Sequence, residues 1–134
     1  MGRVFFNTRK NVHALDGAYT VLASDSGKTF MLSATGGTVA ITLPTTLEEG
    51  LQYKFVVLED TPSNAITIGA GSAIIDLVQK DAGGDAANST AGTAVDNIIV
   101  GTSATQGDMI NLFTDGTTWY AECLSGINDA ITTS

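Results

Sequence analysis

Residues Lys28 to Pro44 read KTFMLSATGGTVAITLP. In the second half Val39, Ile41 and Leu43 alternate with Thr38, Ala40 and Thr42. A period of two places one set of side chains on the buried face of a sheet and the other toward solvent. Gly36-Gly37 breaks the stretch into two such segments, and Pro44 ends the second, because proline cannot donate to a strand ladder. The stretch is two strands and a turn, with no helix.

The same pattern decides the triplet Gly27-Lys28-Thr29 just upstream. Such a triplet closes a phosphate-binding loop when a glycine lies five positions before it and a helix comes after it to face the anion. Leu22 occupies the position where that glycine would be, and the residues after the triplet form a strand. We therefore expect SDSGKTF to be a hairpin corner, with Asp25 accepting local backbone hydrogen bonds and Gly27 supplying positive φ.

Working outward, AYTVLAS precedes the corner. LQYKFVVLE, AITIG, AIIDLVQ, NIIVG, DMINLFT and TTWYAECL are further strands, the last two joined by a hairpin turn at Asp115-Gly116. Leu51, Tyr53, Phe55 and Val57 should share one face. About nine short strands with regular turn punctuation are the pattern of an all-β sandwich or barrel. The expected fold is a jelly-roll-like antiparallel β-sandwich over residues 18–124. An extended N-terminal arm spans residues 1–17, and a tail over 125–134 either adds an edge strand or lies across a neighbour. The glycine-rich and polar stretch from Ala82 to Val95 buries too little apolar area to offset its ordering, so it reads as a long surface loop.

A chain of 134 residues is one domain. No apolar run approaches the roughly 18 residues that span a bilayer, and MGRVFFNTRKN has no apolar core of the signal-peptide kind. We expect no membrane partner and assembly in a host cytoplasm. Fourteen acids against six bases give a net charge of −8, which disfavours nucleic-acid binding. The bases are uneven. Arg3, Arg9 and Lys10 fall in the first ten residues, whereas from Gly17 onward three bases face thirteen acids. A basic arm precedes an acidic body.

Few residues carry chemistry. His13 is the only histidine and Cys123 the only cysteine, so an internal disulfide is excluded and no His/Cys metal cluster forms. Cys123, in an alternating strand, reads as a small buried side chain. Glu48-Glu49 and Glu59-Asp60 are adjacent acids, which on a strand point to opposite faces and do not make a glycosidase pair. Asp81 and Asp96 at the ends of the long loop and Asp85 within it could supply oxygens to a calcium ion, but they match no calcium-loop spacing. The chain is read as no enzyme, with no cofactor, metal or catalytic residue. The aromatics say more. One ring of Trp119-Tyr120 should enter the core while the other faces outward, where it could serve a subunit contact. Phe5-Phe6, in a segment with little core of its own, need a surface to cover.

Asp25-Ser26-Gly27-Lys28-Thr29-Phe30, Thr42-Leu43-Pro44, Gly50-Leu51-Gln52-Tyr53-Lys54-Phe55 and Asp115-Gly116-Thr117-Thr118-Trp119, in that order over residues 20–123, resemble a module of structural proteins of tailed bacteriophages. Such modules occur in capsid decoration (cement) proteins and in head or tail fibres. The resemblance implies a homotrimeric structural protein of the virion, bound to the major capsid protein on the outer surface of the head. A short arm and one domain favour decoration over a fibre, which usually carries long shaft segments. On this reading Arg3, Phe5, Phe6, Arg9 and Lys10 anchor the protein to the capsid, while Trp119 and Tyr120 serve subunit contacts. The alternatives are a receptor-binding fibre module and, with a single tryptophan available, a carbohydrate-binding module.

Overall fold

The computed structural model of the protein describes residues 11–70, 75–80 and 94–134. Their regular structure is almost entirely strand: β1 (Val12–Leu15), β2 (Tyr19–Thr20), β3 (Thr29–Leu32), β4 (Val39–Thr42), β5 (Gln52–Val57), β6 (Ile66–Gly69), β7 (Ile75–Lys80), β8 (Ala94–Val95), β9 (Asn97–Val100), β10 (Met109–Thr114), β11 (Trp119–Leu124) and β12 (Ile131–Thr133). One 3-10 turn at Ala23–Asp25 is the only helical element among them. The strands form a seven-stranded sheet in the order β1-β3-β5-β10-β11-β7-β8 and a five-stranded sheet in the order β12-β9-β6-β4-β2.

Alternation sets the core. In β5, Tyr53, Phe55 and Val57 turn inward. In β4 Val39 and Ile41 do so, in β6 Ile66 and Ile68, in β10 Ile110 and Leu112, and in β11 Trp119, Ala121 and Cys123. Side chains from both sheets join in one buried cluster, in which Phe30 stacks on Phe55 at 5.4 Å and Tyr53 tilts against Trp119 at 5.7 Å. Two sheets sharing one core are the defining feature of a sandwich.

Purely antiparallel pairing, expected from the sequence, is corrected by the register. The pairs β1–β3, β3–β5, β2–β4, β4–β6 and β7–β11 are parallel. The reason lies in the corners. From β1 to β7 the chain alternates between the sheets, so in the first four of these pairs the crossover required by parallel strands is a strand of the opposite sheet, while β7 reaches β11 through β8, β9 and β10. The SDSG corner therefore does not close a hairpin; it carries the chain from β2 in one sheet to β3 in the other. Its local chemistry is as anticipated. Gly27 has φ +87°, and the Asp25 carboxylate accepts from the Leu22 N–H at 3.0 Å and the Tyr19 hydroxyl at 3.1 Å. The hairpin at Asp115-Gly116 is genuine. β10 pairs with β11 antiparallel, Gly116 has φ +94°, and Asp115 accepts from the Thr117 and Thr118 N–H groups at 2.8 and 2.9 Å.

Three strands lie outside the nine read from the sequence. β1 falls within the expected arm and packs back on the seven-stranded sheet beside β3. β12, in the tail, is an edge strand of the five-stranded sheet beside β9. β8 takes Ala94–Val95, the last residues of the expected long loop, into an antiparallel pair with Ile75–Asp76; residues 82–93 of that loop lie outside the described residues.

Candidate functional site

The outer faces of the two sheets differ in chemistry. On the five-stranded sheet, register aligns Ala40, Thr67, Ile99 and Thr132 in one row and Thr20, Thr42, Gly69 and Asn97 in the next. This face is small and mostly polar. On the seven-stranded sheet the outward positions of β5, β10 and β11 form three aligned rows: Val56-Met109-Leu124, Lys54-Asn111-Glu122 and Gln52-Phe113-Tyr120. The first row continues through Met31 on β3 to Ala14 on β1. Phe113 is 55% exposed and Leu124 38%. An apolar row and an aromatic pair on either side of one polar row are what protein-contact surfaces present and ordinary solvated faces lack.

The aromatic pair is fixed in place. Phe113 and Tyr120 stack across β10 and β11 with ring centroids 5.2 Å apart, and the Tyr120 hydroxyl donates to Asp115 at 3.2 Å. Hydrogen bonds from the Thr118 and Thr117 backbones lead the causes that hold the Asp115 carboxyl down at about 2, so this acceptor stays ionised through the neutral range. Beside Phe113, Gly27 adjoins Gln52 and donates its N–H to the Gln52 carbonyl at 2.7 Å. Its missing side chain helps open a shallow groove of about 240 Å³, bordered by Thr29, Gln52, Lys54, Asn111 and Phe113.

Trp119 is fully buried, so of the two residues proposed for subunit contact only Tyr120 presents its ring outside. The anchoring candidates Arg3, Phe5, Phe6, Arg9 and Lys10 lie outside the described residues. The first described residue, Asn11, accepts the Thr29 N–H at 2.9 Å, so the arm joins the body at the edge strand beside the Gly27 end of this face.

The remaining candidates are accounted for by local structure. Backbone N–H groups of Gly27, Lys28 and Thr29 donate to Gln52, Asp25 and Asn11, and Lys28 Nζ is held by Asp25 at 2.6 Å; the corner is internally satisfied rather than aimed at a phosphate. Glu59 accepts from Ser33 Oγ at 2.7 Å and the Ala34 N–H at 2.6 Å, while Asp60 accepts from the Gln106 N–H at 2.8 Å. Each acid ties a different loop. Glu48 and Glu49 are exposed on the loop before β5. Cys123 is buried, which together with the nearby Glu122 charge pushes its thiol up to about 12. His13 sits on β1 with its ring 6.1 Å from Phe30. Asp96 is exposed next to β9, and Asp81 and Asp85 lie outside the described residues. Among the described residues no three His, Cys, Asp or Glu side chains are grouped to hold a metal.

The sequence reading passed over Val56, Met109, Phe113 and Leu124. Their signal was present, since the solvent side of QYKFVV, MINLFT and WYAECL carries large apolar residues where a solvated face would carry polar ones. No family model matches the chain, and no curated protein matches its sequence.

Proposed function

We propose that this chain is a non-enzymatic structural protein of a virion, a jelly-roll-like two-sheet subunit that acts as a homotrimer decorating and stabilising the outer surface of a phage capsid through contacts with the major capsid protein. The observation that carries this reading is the contrast between the two outer faces. An acidic body, well suited to remain in solution, exposes Phe113 and Leu124 on the seven-stranded sheet, with Val56, Met109 and Tyr120 half-buried around them, where the other sheet presents mostly small and polar side chains. Such a face gains free energy when it is covered, at roughly 25 cal/mol per Å² of apolar area. A decoration protein is covered in this way by its assembly. The ordered phage-module motifs supply the virion context and the trimer.

The deciding experiment is co-sedimentation of the purified protein with undecorated capsids, followed by electron microscopy of immunogold-labelled virions. Saturable binding and label over the head are expected. Label confined to the tail would replace decoration by a fibre role. That second reading draws on the Phe113–Tyr120 stack beside the polar side chains Gln52, Asn111 and Lys54, since exposed rings flanked by hydrogen-bonding groups also suit a receptor sugar.

A further inference from the structure

The three rows on β5, β10 and β11 are complementary to themselves. Lys54 and Glu122 flank Asn111 in the same row, one strand to either side, about 10 Å apart by two strand spacings. Among the described residues the one ion pair is that of Lys28 with Asp25, so neither Lys54 nor Glu122 is ion-paired to another described residue. The patch is electrically neutral on a body whose bases are outnumbered three to thirteen. Two such acidic bodies can therefore approach there with little local repulsion.

Two copies of one sheet face stack about a twofold axis lying in the plane between them, and where the strands of the two copies are aligned that axis runs either across the strands or along them. An axis across the strands sets Lys54 over Lys54 and Glu122 over Glu122. An axis along β10 sets Lys54 over Glu122 twice. It also sets Val56 over Leu124 twice, Met109 over Met109, Phe113 over Phe113 and Gln52 over Tyr120. Like charges in direct opposition are costly and opposite charges specify register, so the charges select the second arrangement. We propose that the outer face of the seven-stranded sheet docks on the same face of a second copy of this chain, about a twofold axis parallel to β10, with Lys54 of each copy paired to Glu122 of the other.

This goes beyond the decoration reading. A twofold contact closes at two and cannot be one of the equivalent contacts around a ring of three. In a trimeric assembly it therefore joins copies from different trimers, which links neighbouring decoration sites laterally.

The test is charge reversal and exchange, read by sedimentation equilibrium with circular dichroism as the check on folding. Lys54→Glu and Glu122→Lys are each expected to weaken the self-association at least tenfold, a loss of about 1.4 kcal/mol or more. The double exchange Lys54→Glu/Glu122→Lys is expected to restore it to within about threefold, or 0.7 kcal/mol. A second measurement uses Asn111→Cys, which stands opposite itself across the axis. Facing sheets lie about 10 Å apart, so a short bis-maleimide should convert this variant to covalent dimer while Cys123, being buried, leaves the parent protein uncrosslinked. Three outcomes would overturn the proposal: a single-chain mass at every concentration, single reversals without effect, or an exchange that fails to restore association. A trimer untouched by both reversals removes the twofold contact and leaves the trimer standing. A dimer split by either reversal, with no trimer at any concentration, supports the contact and removes the trimer.

Discussion

The backbone N–H of Gly126 donates to the Asp108 carboxylate across 3.0 Å, closing the turn after β11 onto the residue that precedes β10. The same carboxylate accepts from the Thr105 N–H at 2.8 Å, the Thr105 hydroxyl at 2.9 Å and the Ser125 hydroxyl at 2.9 Å. Asp108 is only 5% exposed, so the side chain is a buried knot between the β9–β10 loop and the tail. Replacing it by alanine strands these donors without an acceptor. Asp108→Ala is expected to lower stability by about 3 kcal/mol, seen as a lower urea midpoint with an unchanged slope.

The same knot sets an acid limit. Burial pushes the Asp108 carboxyl up, but the Thr105 and Gly126 N–H groups with the Ser125 and Thr105 hydroxyls outweigh it and hold the pKa below the ordinary 3.8. A carboxyl depressed in the folded state contributes stability that is fully present above the unfolded pKa and is lost as pH falls through the folded one. The stability difference between the parent protein and Asp108→Asn should therefore be constant from pH 7 to about 5 and shrink below 3.8. Urea titrations at pH 7, 5 and 3 measure it; a difference that grows on acidification would contradict the assignment.

Adjacent residues in β11 should separate folding from association. Trp119 is fully buried against Tyr53, and Trp119→Ala is expected to cost about 4 kcal/mol through lost packing and an unfilled cavity. Tyr120 faces outward and stacks on Phe113. Tyr120→Ala should cost no more than about 1.5 kcal/mol of folding stability, the scale of an aromatic pair, while weakening self-association. Parallel thermal melts and sedimentation runs distinguish the two effects.

Cys123 offers a probe of global opening. With the side chain buried and its thiol pushed up to about 12, almost none is thiolate at neutral pH, and the thiolate is the reactive form. Labelling by a thiol reagent at pH 7.5 should be slow in native buffer and complete within minutes in urea. Rapid native labelling would mean that β11 opens locally.

The arm can be tested without damage to the sheet, provided the cut respects β1. Because Thr29 donates to Asn11 and Val12–Leu15 pair with β3, deletion of residues 2–10 leaves the edge strand whole. A deletion reaching His13 would remove half of it. The shorter deletion is expected to keep the circular dichroism spectrum and melting temperature, and to lose capsid co-sedimentation. Full occupancy by the truncated protein would end the anchoring role of Arg3, Phe5, Phe6, Arg9 and Lys10.

Much of the sandwich was legible because alternation reports burial directly. Val39 and Ile41, or Tyr53, Phe55 and Val57, can be placed inward from the chain alone, and Asp115-Gly116 announces its hairpin. Pairing was not legible. A positive-φ glycine such as Gly27 serves equally to fold a strand onto its neighbour or to send it to the other sheet, and only long-range register decides which. β1 escaped notice because VHAL is an exposed edge, where no burial pattern is imposed. The patch around Asn111 depends on β5 and β11 both flanking β10, a neighbourhood assembled from residues some seventy positions apart that no local window contains.

The order of the seven-stranded sheet also constrains how the chain can be made. The β10–β11 hairpin sits between β5 and β7, so the middle of that sheet stays empty until Met109–Leu124, made well after both flanking strands, have left the ribosome. Before then Phe55 and Ile75 belong to half-sheets with open edges, which are templates for wrong pairing. Folding is therefore completed by insertion of a late wedge rather than by steady growth. Contacts of such long sequence separation close slowly, and chains released early should populate aggregates instead of smaller folded pieces.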